Sequence, residues 1–150
     1  MKSRYLVVSA IITLILFSAG YVHAQSNIPK LKYQENKLLE DEIGYTHAIR
    51  NGNTLYISGT TATGEMDEQI KKIMEDIRET IVKYGGTLQN VVKQTVYTTD
   101  LDSFMANKII IKSFYGGEYP VSTFVEVKRL LLPQFKVEIE VTAILPSVRP

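Results

Sequence analysis

The chain has 150 residues, 17 basic and 16 acidic, and no cysteine. That length fits one domain, and the near-neutral balance gives no electrostatic case for binding nucleic acid or an anionic membrane. The absence of cysteine rules out thiolate catalysis and zinc–cysteine sites.

The chain opens with Lys2 and Arg4, then an apolar run from Tyr5 to about Phe17, and closes that stretch with Val22-His23-Ala24 before Gln25. This is the pattern of a secretory signal peptide over residues 1–24. A retained membrane anchor is the competing reading, but the run is short against the roughly 20 residues of a span. Taking 24 residues from 150 leaves 126, enough to bury a core without staples. Lys2 and Arg4 leave with the segment, so 15 basic residues face 16 acidic ones, a charge of −1. An exported chain without disulfides fits a bacterial periplasm or a secreted protein, with no stable membrane insertion after cleavage.

Residues 25–36 are polar and read as a flexible lead-in to a domain over 37–150. Asn51-Gly52 between two β-prone runs predicts a hairpin, with strands near 43–50 and 54–58. "TTATG" reads as a loop. Met66, Ile70, Ile73, Met74, Ile77, Ile81 and Tyr84 form one stripe at helical spacing, so a helix is expected over 66–84. Glu65, Asp67 and Glu68 favour its start and Gly85-Gly86 its stop. "VVKQTVYTT" alternates and predicts a strand over 91–99. Asp100 or Asp102 can cap a second helix running to Tyr115, with Phe104, Ile111, Phe114 and Tyr115 toward the core. Two strands follow, 121–127 and 135–143, separated near Pro133.

The resulting order is β-β-α-β-α-β-β, a mixed α+β sheet with both helices on one face. In the last strand Phe135, Val137, Ile139, Val141 and Ala143 share one side, and Lys136, Glu138, Glu140 and Thr142 the other. That second face is either solvated or turned toward another subunit.

Five blocks carry a resemblance: "GYTHAI", "LYISG", "VVKQTVYTTDLDSF", "YPVSTFVEVKRL" and "KVEIEVTAI". In this order, from about Gly44 to Leu145, they resemble the RidA/YjgF family of reactive intermediate deaminases. The resemblance implies a chorismate-mutase-like fold. It also implies a homotrimer with a central barrel of sheets and three inter-subunit clefts, each holding a small-molecule ligand. Its best-studied members hydrolyse 2-imino and 2-enamino acids to 2-keto acids and ammonia, without a metal or organic cofactor. By this likeness Glu138 orients water, and Tyr45 and the Ser58-Gly59 pair shape the ligand pocket. The family's carboxylate-clamping arginine falls at Ser122, within Pro120–Val127. Its asparagine in the second helix falls at Lys108, beside Asn107, and "GGEY" is a short form of its loop.

A guanidinium grips a carboxylate through two charge-assisted bonds, whereas a serine offers one neutral bond. The difference is roughly 1–3 kcal/mol on such a contact. The scaffold and water-handling acid are kept, and the clamp is not. The expected functions are hydrolysis of an enamine or imine that need not be an α-amino-acid derivative, ligand binding without turnover, or a chaperone-like or structural envelope role that uses the trimer surface.

Bland alternatives stand beside each candidate. Glu138 can be a strand carboxylate paired with Lys136 or Lys128. Tyr45 can be a core or interface aromatic; Ser58 and Gly59 can present a hydroxyl and a backbone N–H to an anionic ligand, or Gly59 can be a tight strand end. Lys108 can replace the arginine as a point charge or be a solvated helix lysine. Phe124 lies where it would crowd the cleft. Arg129 reads as an ion-pair or interface residue, and His47 as polar surface or interface.

Overall fold

The computed structural model describes residues 29–147, so the expected signal segment lies outside the described residues. In chain order these residues form β1 (Leu31–Tyr33), α1 (Lys37–Ile43), β2 (Ala48–Asn51), β3 (Thr54–Thr61) and α2 (Met66–Lys83). A 3-10 turn at Leu88–Asn90 leads into β4 (Val91–Thr98). Then come α3 (Leu101–Ala106), α4 (Lys108–Tyr115), β5 (Val121–Glu126) and β6 (Val137–Ile144). The strands make one six-stranded sheet in the order β1-β2-β3-β6-β4-β5. Only β4 and β5 run parallel; every other neighbouring pair is antiparallel.

The expected α+β architecture is present, and alternation explains the core. Val137, Ile139, Val141 and Ala143 point to the helix side and are buried. The α2 stripe of Met66, Ile70, Ile73, Met74, Ile77 and Ile81 covers them, with Phe104, Ile111 and Tyr115 from α3 and α4. A capping box opens α2, since Glu68 accepts the N–H of Glu65. At the other end Gly85, at φ 78°, supplies the left-handed turn that a side chain disfavours.

Four differences from the sequence reading have physical causes. Residues 31–33, expected within a flexible lead-in, pair antiparallel with β2. Tyr33 packs edge-on against His47 at 5.6 Å, and Lys83 lies 4.3 Å from the Tyr33 ring centre. The first hairpin strand begins at Ala48, not near 43, because residues 37–43 are helical. Asn36 caps that helix by accepting from Leu39 N–H, and Gly44 ends it at φ 90°. The second hairpin strand runs on through Thr61 into "TTATG", because it keeps pairing with β6 as far as Thr61↔Glu138. The second helix is two helices broken at Asn107, whose side chain donates back to Ser103 O at 3.0 Å. Asp100, not Asp102, caps α3, accepting from Ser103 N–H at 2.8 Å.

Candidate functional site

The open face of the sheet is read off the register. Tyr97 lies opposite Glu138, Thr95 opposite Glu140 and Lys93 opposite Thr142 on β4 and β6. Thr61 lies opposite Glu138 on β3. Between Ile57 and Thr60 the β3–β6 register shifts, so Ser58 and Gly59 together oppose Glu140 in a bulge. The bulge brings backbone close to a carboxylate. A Cβ added at Gly59 would lie 1.8 Å from Glu138 Oε1, 2.6 Å from its Cδ and 2.9 Å from its Cγ. Gly59 is therefore a close-approach glycine rather than a conformational one.

Burial pushes the Glu138 carboxyl above its usual value, and the nearby Glu140 charge adds to this. Burial also raises the Tyr97 phenol, with Glu140 and Glu138 contributing next, so Tyr97 stays protonated. Glu138 lines a cleft with Tyr97, Glu140, Arg129 and Leu131. Among the described residues neither carboxylate is ion-paired. Lys136, expected beside Glu138, instead reaches Glu65 Oε2 at 2.7 Å near the start of α2.

Tyr45 and Ser58 share an adjoining hollow with Glu40 and Gly44. Burial, then the charges of Glu40 and Glu35, raises the Tyr45 phenol, which is left as a donor. Ser58 differs from expectation. Its hydroxyl donates to Thr46 O at 2.7 Å and its N–H to His47 O at 2.9 Å. Both protons are occupied within the chain, so Ser58 forms a wall and has no proton left for a ligand.

Ser122 faces the other way. It lies opposite Gln94, which lies opposite Val141, so its side chain is on the helix face of the sheet. Tyr115 OH donates to Gln94 Oε1, Gln94 Nε2 to Ser122 Oγ, and Ser122 Oγ to Pro120 O, each at 2.9 Å. Lys108, Ser122 and Phe124 line one pocket between β5 and the α3–α4 pair. One chain thus holds two half-sites. Glu138, Gly59, Ser58 and Tyr45 lie along the open face, and Lys108, Ser122 and Phe124 lie on the helix face.

The sequence reading missed Glu40 and Tyr97 and misplaced His47. Glu40 is buried and accepts N–H groups from Glu35 (2.7 Å), Asn36 (3.0 Å) and His47 (2.9 Å). No local signal marks it, since its partners meet only in the fold. His47, expected at the surface or an interface, is buried within the chain itself, with Nε2 3.0 Å from Thr80 Oγ1 on α2. Tyr97 was legible, because alternation in "VVKQTVYTT" already put it in line with Lys93 and Thr95. Among the described residues no group of three His, Cys, Asp or Glu could hold a metal ion.

A family model described as Endoribonuclease L-PSP matches residues 36–145. A RutC family protein of Pyrococcus abyssi is 32% identical over 95 residues, covering 57% of this chain and 75% of that protein. An Escherichia coli protein provisionally named reactive intermediate deaminase TdcF is 28% identical over 111 residues, covering 67% and 85%. Among solved structures, a member of the YjgF/YER057c/UK114 family from Mycobacterium tuberculosis gives a TM-score of 0.73 at 28% identity. That match covers 78% of this chain and 100% of the other. With the same scaffold recovered along nearly the whole domain, the chain belongs to the RidA/YjgF family.

Proposed function

We propose that this protein is an exported homotrimer that hydrolyses an enamine or imine to a carbonyl compound and ammonia in clefts between its subunits. The observation that carries this reading is Glu138, held against the Gly59 backbone and half-buried beside Tyr97 with its carboxyl pKa raised. A carboxylate in such a place can take a proton from water and return it to the leaving nitrogen. The protonated phenols of Tyr97 and Tyr45 are hydrogen-bond donors for the substrate or the water.

Assembly follows from the two half-sites. They lie on opposite faces of one sheet, so a cleft containing both draws them from different copies. The open face also exposes Tyr56, Val121 and Val125, apolar surface that a neighbour would cover. Export rests on the Lys2, Arg4 and Val22-His23-Ala24 pattern.

A second reading is a trimer that binds a metabolite without turnover. It is favoured by Ser122, which brings no charge where the family resemblance places a carboxylate clamp. Ammonia release separates the two. The wild type is expected to release ammonia from an uncharged imine about a hundredfold faster than Glu138→Gln, and to turn over 2-aminoacrylate poorly. Ligand binding without ammonia release would leave the second reading.

A further inference from the structure

The pocket on the helix face shows what kind of ligand it takes. Its volume is about 230 Å³. A dry cavity of about 150 Å³ lined by Leu, Ile and Phe accommodates a benzene ring. This pocket therefore has room for one ring and a short arm. Its walls are apolar: Phe104 and Phe124, with ring centres 5.7 Å apart, then Met105, Ile111 and Tyr119.

The hydroxyls on the floor are already engaged. The Tyr115 proton goes to Gln94 and the Ser122 proton to Pro120 O. Neither hydroxyl has a donor left for a carboxylate. The cations that line the pocket, Lys108 and Lys112, are exposed. Lys112 Nζ lies 6.0 Å from the Tyr119 ring centre, and a solvated ammonium is a poor substitute for a bidentate clamp. A carboxylate placed on this floor would lose water and find at most the second N–H of the Gln94 amide, one neutral donor in place of a bidentate clamp.

We infer that the pocket selects an uncharged arylalkyl group, so that the substrate is the imine or enamine of an arylalkyl aldehyde with no α-carboxylate. The inference rests on the proposed hydrolysis and deepens it. In the reaction, water adds to the C=N carbon, its oxygen becomes the carbonyl, the C–N bond breaks and nitrogen leaves as ammonia. One water is consumed and no oxidant or reductant is needed. The reaction class that must supply this substrate is oxidation of a primary arylalkyl amine to its imine.

The test is calorimetric binding to the purified protein of two probes that differ in one group, phenylacetamide and phenylacetate. Phenylacetamide is expected to bind at least about tenfold more tightly. Phe124→Ala, on an exposed position of an edge strand, should weaken it by about tenfold. The inference is overturned if phenylacetate binds as well or better, if Phe124→Ala changes neither probe, or if neither binds. Phenylacetamide has no C=N bond to hydrolyse, so its binding is read independently of ammonia release. Loss of the pocket result with Glu138-dependent ammonia release intact would therefore remove only this inference. The converse would remove only the hydrolytic reading.

Discussion

Gly59→Ala isolates the contact on which the site depends. The new methyl carbon would sit 1.8 Å from Glu138 Oε1, against an ordinary contact that starts at 3.4 Å. The carboxylate must therefore retreat by about 1.6 Å. The three atoms it meets belong to a side chain that can change rotamer, not to backbone. The stability cost should be small, roughly 1 kcal/mol for an off-rotamer adjustment. Positioning suffers far more, since about 1 Å of misplacement costs on the order of a hundredfold in rate. The assay pairs thermal unfolding with ammonia release from an uncharged imine. The expected result is a near-normal melting temperature with activity close to that of Glu138→Gln. The double variant should be no worse than either alone, because both remove the same positioned carboxylate. Full activity in Gly59→Ala, with Glu138→Gln inactive, would show that the close contact does not position Glu138.

Three further outcomes can be checked. Glu40→Ala strands three backbone N–H groups, each worth roughly 1–3 kcal/mol, so calorimetry should show a melting temperature lower by on the order of 10–20 °C. Glu138 has a raised pKa when folded, so the folded state holds its proton to higher pH than the unfolded chain. Wild-type stability should fall as pH rises through the window just above the ordinary carboxylate range. Glu138→Gln should then exceed the wild type at neutral pH and converge with it in acid, measured by urea unfolding at fixed protein concentration. Light scattering on the purified protein should give three times the monomer mass, and a stable monomer at micromolar concentration would remove the inter-subunit cleft.

The α2 stripe, the core strand β6 and the bias of Glu138 to the non-core face were all legible, because each is a local periodicity. The half-sites were legible as residues but not as places. Ser122 and Glu138 look like one pocket in an alignment of motifs. Counting through Gln94 and Val141 puts them on opposite faces, and that count needs the strand pairing. The bulge at Ser58-Gly59 shifts the β3 register and leaves no mark beyond a glycine. Residues 31–43 were misread because their order comes from distant partners. Glu40 reaches back to Glu35 and Asn36 and forward to His47, while His47 meets Thr80, 33 residues on. Ser58 was expected to offer a hydroxyl, but Thr46 O takes that proton. Side-chain type shows which bonds a residue can make, and only the fold shows which are already made.

In the proposed cleft, Glu138 of one copy works with the helix-face pocket of another. Co-expression of two inactive chains, Glu138→Gln and Ser122→Trp, under different tags tests it directly. Ser122→Trp fills the pocket and leaves Glu138 in place; Glu138→Gln does the reverse. Every trimer that carries both tags has one cleft in three, so about a third of the clefts, pairing an intact carboxylate with an intact pocket. The dual-tagged trimers are therefore predicted to recover about a third of the wild-type rate of ammonia release. Dual-tagged trimers as inactive as either parent would contradict the claim.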